Sequence, residues 1–214
     1  MTGNGRYSAL IVDWLTPAYD FFVRLFLREM RIKRTLIAHA RIAPGDHVLD
    51  LGAGTGTLAI LIKQIHPGAQ VTGLDAELEV LALAKAKATR ADVDIAFDLG
   101  TVTALPYADE SFDRVVSSLV FSLLSSKDKQ LALCAAYRVL RGGGELHIAD
   151  FGPAHTRWGR LLAPRMRRFE PIIDNLDGRL PAMFRKAGFE DVDEDARFAT
   201  ALGTISLLHG RRPD

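Results

Sequence analysis

Residues 48–56 read Val48-Leu49-Asp50-Leu51-Gly52-Ala53-Gly54-Thr55-Gly56. An apolar run that ends in alternate glycines and leads into the helix-like stretch Thr55–Ile65 is a strand, a turn and a helix. In a parallel sheet, ligands lie outside the carboxyl ends of the strands. Glycines there let backbone approach a ligand and adopt positive φ, and the following helix offers free N–H groups. The spacing is G-x-G-x-G, whereas a dinucleotide-binding turn has G-x-G-x-x-G. Asp50 stands two residues before the first glycine. A carboxylate there opposes a pyrophosphate and suits a ligand carrying an ammonium group.

A second acid, Asp75, closes the apolar stretch Val71-Thr72-Gly73-Leu74-Asp75, 19 residues beyond Gly56. A carboxylate at the end of a second strand can accept hydrogen bonds from both hydroxyls of a ribose. An amino group and a ribose without phosphate describe S-adenosylmethionine, and the spacing argues against an NAD-binding oxidoreductase. Further strands are expected in VDIAFDLG, SFDRVVSSLV and ELHIAD, with helices over Glu77–Arg90 and from Ser126 to Leu140. Arg141–Gly144 reads as a turn, and Asn175–Ala187 as a helix stopped by Gly188. VDEDARFATALGTISLLHG holds two strands with no helix between them, so one pairing there is antiparallel. Alternating strands and helices give a parallel α/β sheet with helices on both faces.

The chain has 214 residues, which fits one domain able to bury a core. We divide it into a helical cap (1–42), a cofactor-binding core (43–150) and a substrate-side loop, helix and final strands (151–214). Hydrophobic content is 48%, charged content 25% and formal net charge +1, an ordinary balance that gives no general case for nucleic acid. The single cysteine, Cys134, excludes an internal disulfide, and no metal-ligand spacing is present. No run approaches the roughly 18 apolar residues of a membrane span, and no secretory signal pattern opens the chain. A cytoplasmic location is expected.

HVLDLGAGTG, VTGLD, TALPYADESFDRVVSS and YRVLRGGGELHIADFG together resemble the class I S-adenosylmethionine-dependent methyltransferases. Within these, the chain is most similar to the group that includes the ubiquinone/menaquinone biosynthesis C-methyltransferases, over about residues 40–190. The resemblance implies a three-layer Rossmann-like fold. Its seven-stranded sheet would be ordered 3-2-1-4-5-7-6 with strand 7 antiparallel, and N-terminal helices would cover the site. It places Gly52, Ala53, Gly54 and Gly56 along the cofactor, with Asp50 nearby, Asp75 on the ribose and Ala76 by the adenine. Thr101 and Val102 stand where such proteins often have Asp-Ala, and Ser117, Ser118 and Leu119 would back the methionine moiety. Ser122-Leu123 replaces a frequent His pair, and Gly142 a frequent Pro.

Tyr19 falls in a Pro-x-Tyr-Asp stretch that covers the cofactor in related proteins; it also reads as an ordinary helix-face aromatic. Asp150, closing the fifth strand, is the preferred polar group near the substrate, with His155 as a candidate base. His147, among apolar residues, reads as a core histidine. Residues 24–41 carry six Arg or Lys against one Glu, and 155–168 carry five Arg and no acid, interleaved with Trp158, Leu161, Leu162 and Met166. This pattern suits a greasy anionic substrate or peripheral contact with an anionic membrane surface, and for 24–41 equally a solvated helix face.

The expected activity is methyl transfer to a small lipophilic or aromatic acceptor: a quinone precursor, a phenol or a phospholipid amine. The alternatives are N- or S-methylation of a small polar metabolite, and a non-catalytic S-adenosylmethionine-binding module. The chain lacks the Asn/Asp-Pro-Pro-Tyr run of base and glutamine methyltransferases, so no nucleic-acid partner is expected.

Overall fold

The computed structural model describes residues 29–214. Tyr19 and the first 28 residues of the expected helical cap lie outside that range. The described part of helix α1 (29–40) is followed by β1 (His47–Leu51), α2 (Thr57–Ile65), β2 (Gln70–Asp75), α3 (Leu78–Arg90) and β3 (Ala96–Leu99). Next come β4 (Phe112–Ser118), α4 (Ser126–Val139), β5 (Leu140–Phe151), α5 (Arg157–Met166), α6 (Ile173–Leu176) and α7 (Leu180–Lys186). β6 (Glu190–Thr200) and β7 (Gly203–Arg211) end the chain as a hairpin.

The sheet runs β3-β2-β1-β4-β5-β7-β6. The β1, β2, β3, β4 and β5 pairings are parallel, while β7 is antiparallel to both β5 and β6. This is the order and strand direction that the family resemblance implied. β1 is central, and Val48, Leu49 and Leu51 are fully buried, as strands covered on both faces require. One core cluster joins Leu36, Ile37 and Ala40 of α1 to α2, α3 and one face of the sheet; a second joins α4, Leu180 and Phe184 to the other face. The three-layer arrangement follows.

Three local expectations change. The turn expected at Arg141–Gly144 belongs to β5, which pairs with β4 through an irregularity between Phe112 and Arg114. Residues distant in sequence draw it in: Gly143 N donates to Arg212 O (2.9 Å) and Arg212 N to Gly144 O (2.8 Å). A Cβ on Gly142 would stand 3.2 Å from Asp214 Cα, which accounts for glycine at that departure from the family pattern. The helix expected over 175–187 is broken into α6 and α7, because Gly178 adopts φ +68° between them. Finally, the basic stretch contains a helix, α5, despite Gly159 and Pro164. Thr156 Oγ1 caps it by accepting from Gly159 N (3.0 Å).

Gly52, Gly54 and Gly56 all take positive φ, at +74°, +54° and +74°. Gly56 is also sterically confined, since an added Cβ would lie 2.9 Å from Ala84 Cβ and 3.0 Å from Phe97 Cζ. Gly56→Ala is expected to destabilise the fold by about 2–4 kcal/mol, combining left-handed backbone strain with overpacking. Urea denaturation of the variant against the parent checks this, and a loss below about 1 kcal/mol would mean that the turn accommodates the methyl.

Candidate active site

The glycine turn is held by two carboxylates. Asp75 Oδ2 accepts from Gly54 N (2.8 Å), and its Oδ1 accepts from Glu77 N, the cap position of α3 (3.1 Å). Asp50 Oδ2 accepts from Ala59 N in the first turn of α2 (3.0 Å). The α2 cap residue, Gly56, has no side chain to do this, so the acid on β1 substitutes for it. Gly52 N and Ala53 N both donate to Leu74 O (2.9 Å), tying the turn to β2.

A cavity of about 580 Å³ opens over this turn at the carboxyl ends of β1, β2 and β4. Of the residues expected at the cofactor, Gly52, Gly54, Asp75, Ala76, Thr101, Val102, Ser118 and Leu119 line it. Asp50, Ala53 and Gly56 do not. Asp50 is 1% exposed and packed beneath the turn, and burial pushes its carboxyl up to about 7 against the opposing pull of Lys33 and the Ala59 N–H. Ala53 is buried, and Gly56 packs against α3. Asp50 is therefore not placed to meet a ligand's ammonium group directly.

Sequence reasoning passed over Asp128, which lines the same cavity from the first turn of α4. Ser125 Oγ donates to Asp128 Oδ2 (2.7 Å) and accepts from Asp128 N (3.1 Å), forming a reciprocal cap. The Ser-x-x-Asp spacing was visible in the sequence, but it announces a cap and nothing more. Thr103, Val120, Leu123 and Leu124 complete this wall.

Among the described residues, the charged groups lining the cavity, Asp75 and Asp128, are both acidic. Such a lining repels phosphate and attracts a cationic ligand. The residues present fit S-adenosylmethionine: a diol for Asp75, positive charge for an acidic cavity, and no phosphate to be repelled. A Cβ on Gly54 would meet nothing within 4 Å, leaving open space above the turn for a ligand.

A second cavity of about 180 Å³ adjoins the first, and Ser118 and Leu119 line both. Its other walls are Glu29, Ile32, Ala149, Phe151, Thr200, Leu202 and Ile205, from α1, β5 and the β6–β7 hairpin. Among the described residues this lining is almost wholly apolar, and Glu29 is its one charged residue. Glu29 is also the single acid in the basic run 24–41, and it accepts from Lys33 Nζ (2.6 Å). The sequence reading missed it, because an acid four residues before a lysine on a helix reads as a surface pair. Leu119 takes φ +61°, and its N donates to Ala149 O (2.9 Å). A leucine held in that region costs about 1–2 kcal/mol, and such strain tends to gather at functional sites.

The candidate polar groups lie elsewhere. Asp150 is 1% exposed and lines neither cavity. It accepts from Ser122 N (3.2 Å), Phe151 N (2.7 Å) and Asn175 Nδ2 (3.3 Å), fastening the segment after β4 to β5 and α6. Burial raises its carboxyl to about 6 in spite of these donors. His155 is exposed beside α5, its Nδ1 3.0 Å from Thr204 Oγ1, and it lines neither cavity. Ser117 is buried and donates to Leu51 O (2.8 Å). His147 is a core residue, 2% exposed, its Nε2 3.0 Å from Glu145 Oε2 and its ring stacked on His209. Among the described residues no group of side chains could hold a metal ion, and no helix is long and apolar enough to cross a membrane.

Residues 48–144 match the family model of a methyltransferase domain. A demethylmenaquinone methyltransferase from Thermus thermophilus is 36% identical over 165 residues, covering 76% of this chain and 74% of that protein. The ubiquinone/menaquinone biosynthesis C-methyltransferase UbiE of Xanthomonas campestris is 36% identical over 146 residues, or 66% of this chain, which spans only 53% of that relative's length. Among solved structures, the Haemonchus contortus phosphoethanolamine N-methyltransferase 2 in complex with S-adenosyl-L-methionine shares the fold. Its TM-score is 0.69 at 17% identity, over 85% of this chain and 52% of that one. The cavity over the glycine turn and these relatives define the class, and the chain belongs to the S-adenosylmethionine-dependent methyltransferase family. S-adenosylmethionine is its cofactor.

Asp150 supplies a pH test. Its folded-state pKa, about 6, lies above the ordinary value of 3.8, so between these limits the folded chain holds a proton that the unfolded chain has lost. Stability from this group is full below about 4, falls as pH rises towards 6, and is level above. Asp150→Asn removes the titration and lowers stability overall, because its amide would face donors. The difference between parent and variant in urea is expected to shrink by about 3 kcal/mol between pH 4 and pH 7. Parallel pH profiles would contradict a buried, neutralisable carboxyl.

Proposed function

We propose that the enzyme methylates a small lipophilic or aromatic acceptor, of the kind represented by a quinone precursor, a phenol or a phospholipid amine, which binds in the apolar cavity. The observation that carries this reading is the wall shared by the two cavities. Ser118 and Leu119 face both, so a cofactor over the glycine turn and an acceptor in the apolar cavity meet there. The relatives named as quinone-biosynthesis methyltransferases support the same acceptor class.

Bound S-adenosylmethionine supplies a methyl group already activated on a sulfonium, so the protein has chiefly to place the acceptor and keep water out. Asp75 holds the ribose hydroxyls at the end of β2, and Ala76 with Thr101 and Val102 borders the adenine. Asp128 takes the part that the sequence had suggested for Asp50 and faces the ammonium group. Leu119, its backbone held in the left-handed region, lines the junction of the two cavities beside the line of transfer and helps to exclude water from it. Glu29 accepts a hydrogen bond from the acceptor's hydroxyl or amine and takes its proton as the nucleophile loses it. Lys33, which donates to Glu29 Oε1 (2.6 Å), orients that carboxylate. An anionic membrane surface is a natural source for such an acceptor.

Calorimetric titration with S-adenosylhomocysteine, followed by radiolabelled methyl transfer to hydroquinones, phenols and phosphatidylethanolamine, tests the reading. Transfer to one of these in the presence of S-adenosylmethionine supports it; tight cofactor binding with transfer only to small polar amines or thiols would overturn the acceptor class. Asp75→Ala is expected to weaken S-adenosylhomocysteine binding by about 1–3 kcal/mol, the loss of hydrogen bonds to a charged group. An unchanged affinity would remove the ribose assignment.

Glu29→Gln is expected to leave that affinity within about twofold while lowering kcat by about 10²-fold or more, the ordinary contribution of a positioned base. The loss should diminish at high pH for a phenolic acceptor, whose ionisation then needs no base. A variant with parental kcat would exclude Glu29 from proton transfer.

A further inference from the structure

The end of the molecule beside the apolar cavity carries both large apolar and basic side chains on its surface. Trp158 and Leu161 of α5 are 55% and 62% exposed, Leu202 at the tip of the β6–β7 hairpin is 58% exposed, and Phe169, just beyond α5, is 50% exposed. Trp158 Nε1 donates to Ala201 O (3.3 Å), joining helix and hairpin tip into one surface. Arg157, Arg160 and Arg165 of α5, and Arg168 just beyond it, are exposed as well. Among the described residues no carboxylate pairs with these four, whereas Arg167 is held by Asp177. Solvated helices of a folded enzyme do not ordinarily leave tryptophan, leucine and phenylalanine together in water.

The placement is directional. β6 runs alongside β5 in the same sense, because each is antiparallel to β7. Its tip therefore stands at the ligand-binding end of the sheet, and its acidic start, with Glu190, Asp191 and Asp193, at the opposite end, about 30 Å away. The chain is nearly neutral overall, at formal net charge +1, yet the basic, apolar end faces one way and an acidic edge the other. A negatively charged plane would orient the molecule with the cavities towards it. Leu202 is both exposed on this surface and part of the lining of the apolar cavity, so surface and cavity are continuous.

We propose that α5 and the β6–β7 hairpin tip form a docking surface for an anionic lipid bilayer, from which the acceptor passes beside Leu202 into the apolar cavity. Arginines interleaved with tryptophan and leucine match the boundary between headgroups and acyl chains. Nucleic acid would engage the arginines but leave Leu161 and Leu202 in water. The passage of acceptor rests on the function proposed above; docking itself requires neither cofactor nor acceptor, so the two can fail separately.

The test is co-sedimentation of the purified chain with vesicles of phosphatidylcholine alone and of phosphatidylcholine with about one third phosphatidylglycerol. Partition is expected to be at least about tenfold stronger on the anionic vesicles and to weaken with salt. In a Trp14→Phe background, the remaining Trp158 emission should shift to the blue on binding. Replacing Arg157, Arg160 and Arg168 by Gln should weaken partition by about a hundredfold, from the contribution of each basic residue near an anionic surface. Replacing Trp158 and Leu161 by Ser, read by co-sedimentation, should weaken partition on the anionic vesicles by at least about tenfold. Both variants should keep the parental melting temperature, S-adenosylhomocysteine affinity and transfer to a water-soluble acceptor. Absence of partition by the parent, equal partition on both vesicle types, or loss of cofactor affinity in the folded variants would overturn the proposal. Binding to an RNA oligonucleotide that survives Trp158 and Leu161 replacement, without vesicle binding, would assign the arginines to nucleic acid instead.

Discussion

The structure depends on three glycines being held in a conformation that most residues avoid. Backbone at Gly52, Gly54 and Gly56 is left-handed, and such a turn would be floppy if nothing else fixed it. Two carboxylates from neighbouring strands do so: Asp75 grips Gly54 N, and Asp50 grips Ala59 N in the helix that follows. The same two carboxylates bring β1, β2, α2 and α3 into register, because Asp75 also starts α3 through a third bond, from Glu77 N. Local order at the cofactor cavity and packing of the sheet are thus one constraint. An acid buried as completely as Asp50 is costly, and its raised pKa shows that the cost is met partly by neutralisation.

Asp150 repeats this arrangement at the other side of the site. It draws together Ser122 N, its own neighbour Phe151 N and the Asn175 amide, so the segment after β4, the end of β5 and α6 have fixed relative positions. Lys129 adds a second tie between α4 and α6, its buried ammonium near Asp174 (3.5 Å) and bonded to Pro171 O. The walls of the two cavities therefore rest on buried polar hubs, and the side chains that face ligand are free of structural duty. Asp75 and Asp128 are the exceptions, since each lines the cavity while shaping the turn or capping α4. This division explains why a carboxylate at a strand end is ambiguous in function: Asp50 and Asp150 face inward, Asp75 faces both ways.

Most of the fold was legible because it is written locally. β1 to β4 and α2 to α4 come from apolar runs separated by turn residues, and the helix-free end foretold an antiparallel pair. What was not legible depends on distant residues. The Gly142–Gly144 run reads as a turn until the C-terminal residues pair with it. α5 contains Gly159 and Pro164, both poor in helix interiors, and forms because Thr156 caps it and β7 supports it. The site divides in the same way. Gly52, Gly54, Asp75, Thr101 and Ser118 lie at strand ends, where spacing alone predicts convergence. Asp128 and Glu29 arrive on helices far from the glycine turn in sequence, and each carries a sufficient local explanation, a cap or an i,i+4 pair. Asp50 was misplaced because strand periodicity says that a side chain alternates, not whether its face opens to ligand or to the next helix.

The contrast between the two cavities bears on how one site handles reactants of unlike character. The larger one presents acids and backbone, as a charged and hydroxylated cofactor requires; the smaller is mostly apolar, with Glu29 its one charged group among the described residues. They touch along Ser118 and Leu119, at the end of β4, where the chain leaves the sheet. A glycine at position 119 would remove the strain at φ +61° but leave a gap in the wall. Leucine retains the wall at a cost of about 1–2 kcal/mol in backbone energy. That cost is sustained by β5, through the bond from Leu119 N to Ala149 O, and β5 is in turn held by Asp150. The buried acid that does not meet substrate therefore acts on the site through the strand on which the strained leucine leans.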